Sequence, residues 1–170
     1  MLGSAAVGFT FSGSGTLRVT PYAGSVMATA RTYNDQPTGT FGQFIPGQPE
    51  AEAIAYGQEA RLIQLSQSAM SGVGFRTNVG FVNLTGQAIE VEAKLHRCDG
   101  TYIATRTVPL RAFEYVQVDA IFTKAGAGDV PDGFAVLRTT TPGGAFLAYA
   151  SVIDNRSGDP IYIPARVVEP

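Results

Sequence analysis

The sequence predicts an all-β fold, an antiparallel β-sandwich of two packed sheets. Gly, Pro, Asn and Asp recur at short intervals, and the segments between them alternate in polarity or are β-branched. Helix signals are scarce: residues 50–59 are interrupted by Gly57, and residues 120–125 suffice for a single turn. A third observation is internal repetition at a distance of 120 positions. Many short strands separated by turns are typical of sandwiches and barrels.

The clearest strand is predicted over residues 89–96, where Ile, Val, Ala and Leu alternate with Glu, Glu, Lys and His. This period of two places one face in the core and the other in water. The following Asp99-Gly100 pair predicts a hairpin with a type I′ turn, because that turn needs a positive φ at both positions. The partner strand is expected at residues 101–108, ended by Pro109.

The remaining strands follow the same logic of short apolar or alternating runs between turn residues. They are predicted at residues 17–20, 26–33, 61–65, 77–83, 115–120, 134–140, 145–153 and 161–163. Residues 34–57 form the longest irregular stretch, but Phe41, Phe44 and Ile45 make it too apolar for a solvated loop. We therefore expect this stretch to pack over a sheet edge.

The repeat matches residues 17–33 with residues 137–153 without a gap, and Leu, Arg, Thr, Gly and two Ala recur at the same offsets. After two residues of slippage, residues 44–47 match residues 162–165. Each copy is interpreted as strand, Gly turn, strand, Asn/Asp loop and Ile-Pro strand end. The sequence thus predicts related hairpins at 17–33 and 137–153.

Three interpretations of the repeat are open. In the first, the period is about 120 residues, and the chain holds the tail of one repeat followed by one complete repeat. Alternatively, the two hairpins occupy equivalent places in the two sheets of one sandwich. In the third interpretation, the first hairpin is donated to a neighbouring molecule by β-strand addition. A two-stranded ribbon is marginal by itself in water, so residues 17–33 need a partner; we favour the second interpretation.

Bulk composition restricts the class of protein. The 170 residues fit one domain, with a flexible or extended arm at residues 1–16 and a single sandwich at residues 17–170. A net charge of −2 without a basic cluster argues against a nucleic-acid surface. No apolar run approaches the roughly 20 residues of a membrane-spanning helix. The start of the chain lacks the pattern of a signal peptide.

Two segments carry a resemblance to a known group of domains. They are the run Phe-Arg-Thr-Asn-Val-Gly-Phe-Val-Asn at residues 75–83 and the run Leu-Ala-Tyr-Ala-Ser-Val-Ile-Asp-Asn-Arg-Ser-Gly-Asp-Pro-Ile-Tyr-Ile-Pro at residues 147–164. Residues 30–34 and 39–46 belong to the same pattern. The chain resembles the immunoglobulin-like β-sandwich domains of bacterial secreted and cell-surface proteins. The resemblance implies an extracellular module without catalytic residues.

Candidate chemistry centres on few residues. His96 and Cys98 are two positions apart and share a face if the strand continues, but a zinc site needs at least three protein ligands. A Ser-His-Asp arrangement would have to use His96 as its base, since the chain has one histidine. Both residues are better explained as a surface pair beside a hairpin. We therefore expect no catalytic and no cofactor-binding residues.

A loop at residues 154–159 offers the one candidate metal site. Asp154, Asn155 and Asp159 supply hard oxygen ligands that are suitable for calcium. The alternative is a turn in which Asp and Asn accept hydrogen bonds from their own backbone. The turn is favoured, because the equivalent earlier loop at residues 34–37 offers fewer carboxylates.

These observations predict a non-enzymatic structural or adhesive module of a bacterial surface or secreted protein. One alternative is a self-assembling filament or pilus-like subunit that donates an N-terminal strand. Another is a carbohydrate- or peptide-binding accessory domain of a secreted hydrolase, with Tyr22, Tyr102 and Tyr115 as partly exposed tyrosines that core or interface packing explains equally well. The expected partners are proteins or copies of the chain itself through a sheet edge, and a glycan is a further candidate ligand.

Overall fold

A computed structural model describes residues 2–4, 9–11 and 15–168 of the chain. The described residues lie mostly in β-strands, as predicted. The strands are β1 Leu2–Ser4, β2 Phe9–Phe11, β3 Thr29–Gln36, β4 Gly39–Pro46, β5 Ile54–Ala55, β6 Ala60–Gln67, β7 Phe75–Asn83, β8 Ile89–Arg97, β9 Tyr102–Leu110, β10 Tyr115–Val118, β11 Val130–Thr139, β12 Ala145–Asp154, β13 Pro160–Pro164 and β14 Arg166–Val167.

Two five-stranded antiparallel sheets form the sandwich. The first sheet has the order β10-β7-β12-β13, with β5 also paired to β12, and the second has the order β14-β6-β11-β8-β9. A further two-stranded pairing joins β1 to β2, and another joins β3 to β4. The predicted antiparallel two-sheet β-sandwich is thus confirmed.

The core lies between the two sheets because each sheet presents one apolar face inward. In β8 the alternation is the predicted one, with Ile89, Val91, Ala93 and Leu95 all buried. Such a period of two buries every second side chain. The first sheet packs against this face with buried side chains of its own, which are Val79, Phe81, Phe146, Ala148, Ala150 and Val152.

The predicted hairpin at Asp99-Gly100 is confirmed, since β8 pairs with β9. Its turn differs from type I′, because of the two residues only Gly100 has a positive φ, of 88°. The Gly100 N–H donates to the Arg97 carbonyl, and the register shifts between Leu95 and His96. A type I turn followed by a left-handed Gly has this geometry. The predicted strand end at Pro109 is wrong: β9 continues to Leu110, because an edge strand tolerates proline.

The predicted hairpin at residues 137–153 is wrong. Its two strands, β11 and β12, lie in different sheets. Strand β11 already has β6 on one edge and β8 on the other, so no edge is left for β12. The chain instead crosses from one sheet to the other at residues 140–144. The two apolar faces are therefore buried against each other across the core.

The predicted hairpin at residues 17–33 is also wrong. Residues 17–20 form no strand in the described chain, and β3 pairs forward with β4 rather than back. The β3–β4 hairpin, called the N-terminal ribbon below, belongs to neither five-stranded sheet among the described strands. The favoured interpretation, equivalent places in the two sheets of one sandwich, is therefore wrong. The stretch 34–57, expected to be irregular, contains the end of β3 and all of β4 and β5.

The N-terminal ribbon does lie beside a sheet edge, as expected for this stretch. Its β4 strand contacts β13, the edge strand of the first sheet. The Ser151 hydroxyl of β12 donates a 3.2 Å hydrogen bond to Gln43 Oε1 of β4. This contact places the ribbon next to the outer face of the first sheet.

Helical structure is limited to two short turns in the described residues. Helix α1 spans Ile121–Lys124 and follows Ala120, whose backbone is left-handed at φ 45°. A 3₁₀ turn spans Glu50–Glu52. Within the described part of the chain, no helix has the length and apolarity to cross a membrane. Of the predicted N-terminal arm, residues 1, 5–8 and 12–14 lie outside the described residues.

Candidate functional site

The outer face of the first sheet carries three tyrosines. Tyr149 lies on β12, Tyr115 on β10 and Tyr162 on β13. In β12 the inward positions are Ala148 and Ala150, so alternation turns Tyr149 outward. We call Tyr115, Gln117, Tyr149 and Tyr162 the tyrosine cluster. All three aromatic side chains are half-buried.

Hydrogen bonds hold the tyrosine cluster together. The hydroxyl oxygens of Tyr115 and Tyr149 are 2.8 Å apart. Both hydroxyls also bond to Gln117 Oε1, at 3.1 Å from Tyr115 and 3.0 Å from Tyr149. The Gln117 amide in turn donates to Asp119 Oδ1 at 2.8 Å. Because each polar atom is fixed by a neighbour, the cluster presents aromatic surface and polar groups in one arrangement.

Stacking extends the cluster to the edge of the sheet. The rings of Tyr149 and Tyr162 have centroids 5.2 Å apart and an interplanar angle of 24°. Gly80 on β7 is directly opposite Tyr149, and a Cβ at that position would overlap the Tyr149 ring. The glycine therefore provides the space in which the ring lies across the neighbouring strand.

Burial changes the acidity of two of these tyrosines. Burial is the main cause that raises the pKa of Tyr149 far above its usual range, and the hydrogen bond with Tyr115 adds to it. Burial also raises the pKa of Tyr162 to about 12, against an opposing effect of Arg166. Both phenols therefore keep their protons to a higher pH than an exposed tyrosine does.

A second surface is the N-terminal ribbon beside this face. All eight residues of β3 are exposed, and β4 is the only described strand that pairs with β3. Exposed large apolar side chains are concentrated in and before the ribbon: Leu17, Val19, Tyr22, Val26, Met27, Tyr33 and Phe44. A ribbon with an open strand edge is a template for pairing with another β-strand, although β3 itself is mostly polar.

The structure places His96 against two aromatic rings at the end of the β8–β9 hairpin. Its ring stacks on Phe134 with centroids 4.9 Å apart and meets Tyr102 edge-on at 5.7 Å. The Nδ1 atom lies 3.2 Å from the Gly100 carbonyl oxygen. Cys98 is exposed in the turn after β8. The histidine thus packs the end of the β8–β9 hairpin.

The structure brings the calcium candidates together in the loop between β12 and β13. Asp154 accepts hydrogen bonds from the backbone of Arg156 at 3.0 Å and from the Ser157 hydroxyl at 2.7 Å. These bonds hold the pKa of Asp154 below its usual range. Asn155 Oδ1 accepts a 2.8 Å bond from the Arg76 guanidinium.

This hydrogen bonding matches the turn that the sequence favours. Among the described residues, no group of three or more His, Cys, Asp or Glu side chains is placed to hold a metal ion. Calcium binding at Asp154, Asn155 and Asp159 stays a prediction.

The sequence predicted the surface position of only some of the tyrosines. Tyr22 and Tyr102 are exposed, as predicted, and Tyr115 is half-buried in the cluster. Tyr149 and Tyr162 were missed. The signal that could have found Tyr149 is its position between the small residues Ala148 and Ala150 of an alternating strand, which assigns it to the outer face.

Comparison with known proteins gives no family assignment. No family model matches the chain, and no curated protein matches it. The crystal structure of Thermotoga maritima 1070 is similar over 68% of this chain and 96% of that one, at 8% sequence identity and a TM-score of 0.49.

Proposed function

We propose that this chain is a non-enzymatic structural module of an extracellular or cell-surface protein and that it associates through the open edge of β3. The observation that carries the proposal is the N-terminal ribbon itself. Every second residue of β3, from Thr29 to Asp35, directs its backbone N–H and C=O to the side that has no partner among the described strands. The extracellular location rests on the sequence resemblance.

Physical reasoning supports an associating role for the ribbon. A two-stranded ribbon is marginally stable in water, and the unpaired backbone groups of an exposed edge strand invite pairing. The side chain of Val26, just before β3, is 52% exposed, and that of Phe44 on β4 is 61% exposed. Added backbone hydrogen bonds and burial of these side chains would both stabilise a complex.

The proposal is tested by blocking the β3 edge. The Gly47–Ala28 hydrogen bond and the register make Ala30 bond to β4, so Arg31 is the neighbouring residue whose backbone N–H faces the open edge. Proline at Arg31 removes that N–H and leaves the β3–β4 hydrogen bonds in place. The molar mass of the chain in solution, measured by light scattering across a concentration series, is expected to rise for the wild type and to stay at that of a monomer for R31P. A matched control is Ala112→Pro, at an exposed position of the turn between β9 and β10, where the Ala112 N–H has no hydrogen bond within the described residues.

The control is expected to associate as the wild type does. The proposal would be contradicted by a wild-type chain that stays monomeric at the highest concentration and whose molar mass does not change when other β-sandwich domains are added. Circular dichroism of both proline variants verifies that the sandwich itself remains folded.

A second candidate function is recognition of a glycan or peptide by the tyrosine cluster. The specific observation is the stacked Tyr149–Tyr162 pair next to the fixed amide of Gln117. Aromatic faces combined with positioned polar groups are typical of small-ligand sites. A glycan and peptide array tests this function.

On such an array, we expect retention that Tyr162→Ala abolishes. The control is Tyr102→Ala, which removes an exposed tyrosine of the second sheet. Equal retention by both variants, or no retention by the wild type, would exclude the cluster as the ligand site.

A further inference from the structure

We infer that the N-terminal ribbon is the last hairpin of a second β-sandwich of this chain's own fold, and that its partner is a sandwich of this type that lacks its last hairpin. The inference rests on the proposed function, because it names the partner that would complete the ribbon, whereas intact copies associate by pairing their open β3 edges with each other. It returns to the first interpretation of the repeat, in which the chain holds the tail of one repeat and one complete repeat.

The first argument is register. When residues are matched at the offset of 120, β3 corresponds to β12. The repeated segment after the slippage then makes β4 correspond to β13. Thr29 pairs with Pro46 in the ribbon, and Tyr149 pairs with Pro164 in the sandwich. All five pairs of the β12–β13 hairpin recur in the ribbon in the same register.

The second argument is a hydrogen bond outside the strand pairs. The Gly47 N–H donates to the Ala28 carbonyl at 2.8 Å, and the Ala165 N–H donates to the Ala148 carbonyl at 2.9 Å. These four residues are matched by the repeat. The sequence slippage of two residues is absorbed in the loop, because six residues separate Ile153 from Pro160 and eight separate Tyr33 from Gly42.

The third argument is burial. Phe146 is fully buried in the core, whereas the matching Val26 is 52% exposed. Ala150 is likewise buried, whereas the matching Ala30 is exposed. The ribbon therefore carries the face of a core hairpin without the core that the equivalent hairpin covers. This face carries Val26, Ala28, Ala30 and Ile45, which suit a close-packed interior, together with the polar Gln43 that bonds to Ser151.

The equivalence specifies the missing neighbour. In the sandwich, β12 pairs with β7, so that Ala148 is opposite Phe81 and Ala150 is opposite Val79. By equivalence, Ala28 and Ala30 of the ribbon are expected opposite the corresponding residues of another β7-type strand. The chain's own β7 cannot serve, because β10 occupies one of its edges and β12 the other.

The inference can be tested in the chain's own sandwich, by asking whether the ribbon sequence can replace its last hairpin. In one variant of the full chain, residues 145–165 are replaced by residues 25–47, so that the ribbon sequence takes the place of the last hairpin. In the control, residues 24–46 are inserted instead. This shift by one residue turns every core side chain to the outer face.

We expect the in-register variant to unfold cooperatively with a native-like circular dichroism spectrum, and the shifted variant to lose cooperative unfolding. A second pair of variants changes only β13, so that the test remains possible if both hairpin replacements fail to fold. The variant P160G/I161Q/Y162F writes residues 42–46 into β13 in register, and its control writes residues 41–45 there.

The in-register variants are expected to keep a higher melting temperature than their shifted controls. Equal loss of structure in register and out of register, in both pairs, would overturn the inference. Such a result would leave the proposed function intact, because association through the β3 edge is measured separately with R31P.

Discussion

The ring of Tyr149 lies across Gly80 of the neighbouring strand, in the space that a Cβ at residue 80 would occupy. The pair fixes the centre of the tyrosine cluster. Glycine in the interior of a strand ordinarily weakens it. Here the Tyr149 ring covers the backbone of Gly80 and packs against its flat surface.

Replacing Gly80 with Ala is therefore expected to destabilise the fold by about 1–3 kcal/mol, because the new methyl group overlaps the Tyr149 ring. Denaturant unfolding measures the loss. In the double variant with Tyr149→Ala the methyl group no longer overlaps a ring, so the two changes should not be additive. The control Gly128→Ala, with open space around its Cβ, is expected to have little effect. Additive effects of the two substitutions would contradict the packing relationship.

Alkaline pH is expected to destabilise the protein through Tyr162. Its pKa is about 12 in the folded protein and 10.0 as an unperturbed group. A group whose pKa is raised by folding contributes stability that is complete below pH 10 and is lost as the pH rises toward 12. Melting temperatures between pH 8 and pH 11.5 should fall less steeply in Tyr162→Phe than in the wild type. Tyr22→Phe, at a fully exposed position, is the control and should follow the wild type.

Asn83 is expected to be the most sensitive polar residue of the first sheet. It is 1% exposed, and its amide donates to the Gln87 and Arg111 carbonyls at 2.7 Å each. Its Oδ1 accepts from Thr85. Asn83→Ala leaves these groups without their partner and should cost about 2–3 kcal/mol in denaturant unfolding. Asn34→Ala, at an exposed position, should stay within about 0.5 kcal/mol of the wild type; a similar cost at both sites would contradict the role of the network.

The loop between β12 and β13 is expected to lose stability on the acid side. Folding lowers the pKa of Asp154, so its contribution is present above the ordinary value of 3.8 and is lost as the pH falls below it. Asp154→Ala should lower the melting temperature at pH 7 by the same amount with calcium as with a chelator. A wild-type melting temperature that rises with calcium, and no longer rises in Asp154→Ala and Asp159→Ala, would show instead that the loop binds the ion.

Local chemistry explains which parts of the fold were predictable. The alternation from Ile89 to Leu95 is a property of one strand, and the hairpin at Gly100 depends on one residue's backbone freedom. Alternation does not say which sheet a strand joins, and for this reason β11 and β12 were paired wrongly. The two strands lie in different sheets because β6 and β8 occupy both edges of β11 and leave none for β12.

The candidate site depended even more on tertiary structure. Tyr115 and Tyr149 are 34 positions apart, and only the order β10-β7-β12 brings their hydroxyls together. The repeat was detectable in the sequence, but its structural boundaries were not. A sequence match shows that two segments are equivalent, whereas the pairing of Thr29 with Pro46 shows that the equivalent unit is the hairpin of β3 and β4.

The two shortest strands of the sandwich have a mechanical consequence. Strand β5, where the sandwich begins, is fastened to β12 of the first sheet, and β14, where it ends, is fastened to β6 of the second. Each attachment consists of two residue pairs. A pulling force between the ends of the sandwich is therefore carried from one sheet to the other through the packed core. Under load, β5 and β14 would detach first and lengthen the chain while the remaining strands stay paired, so that each module yields in two steps.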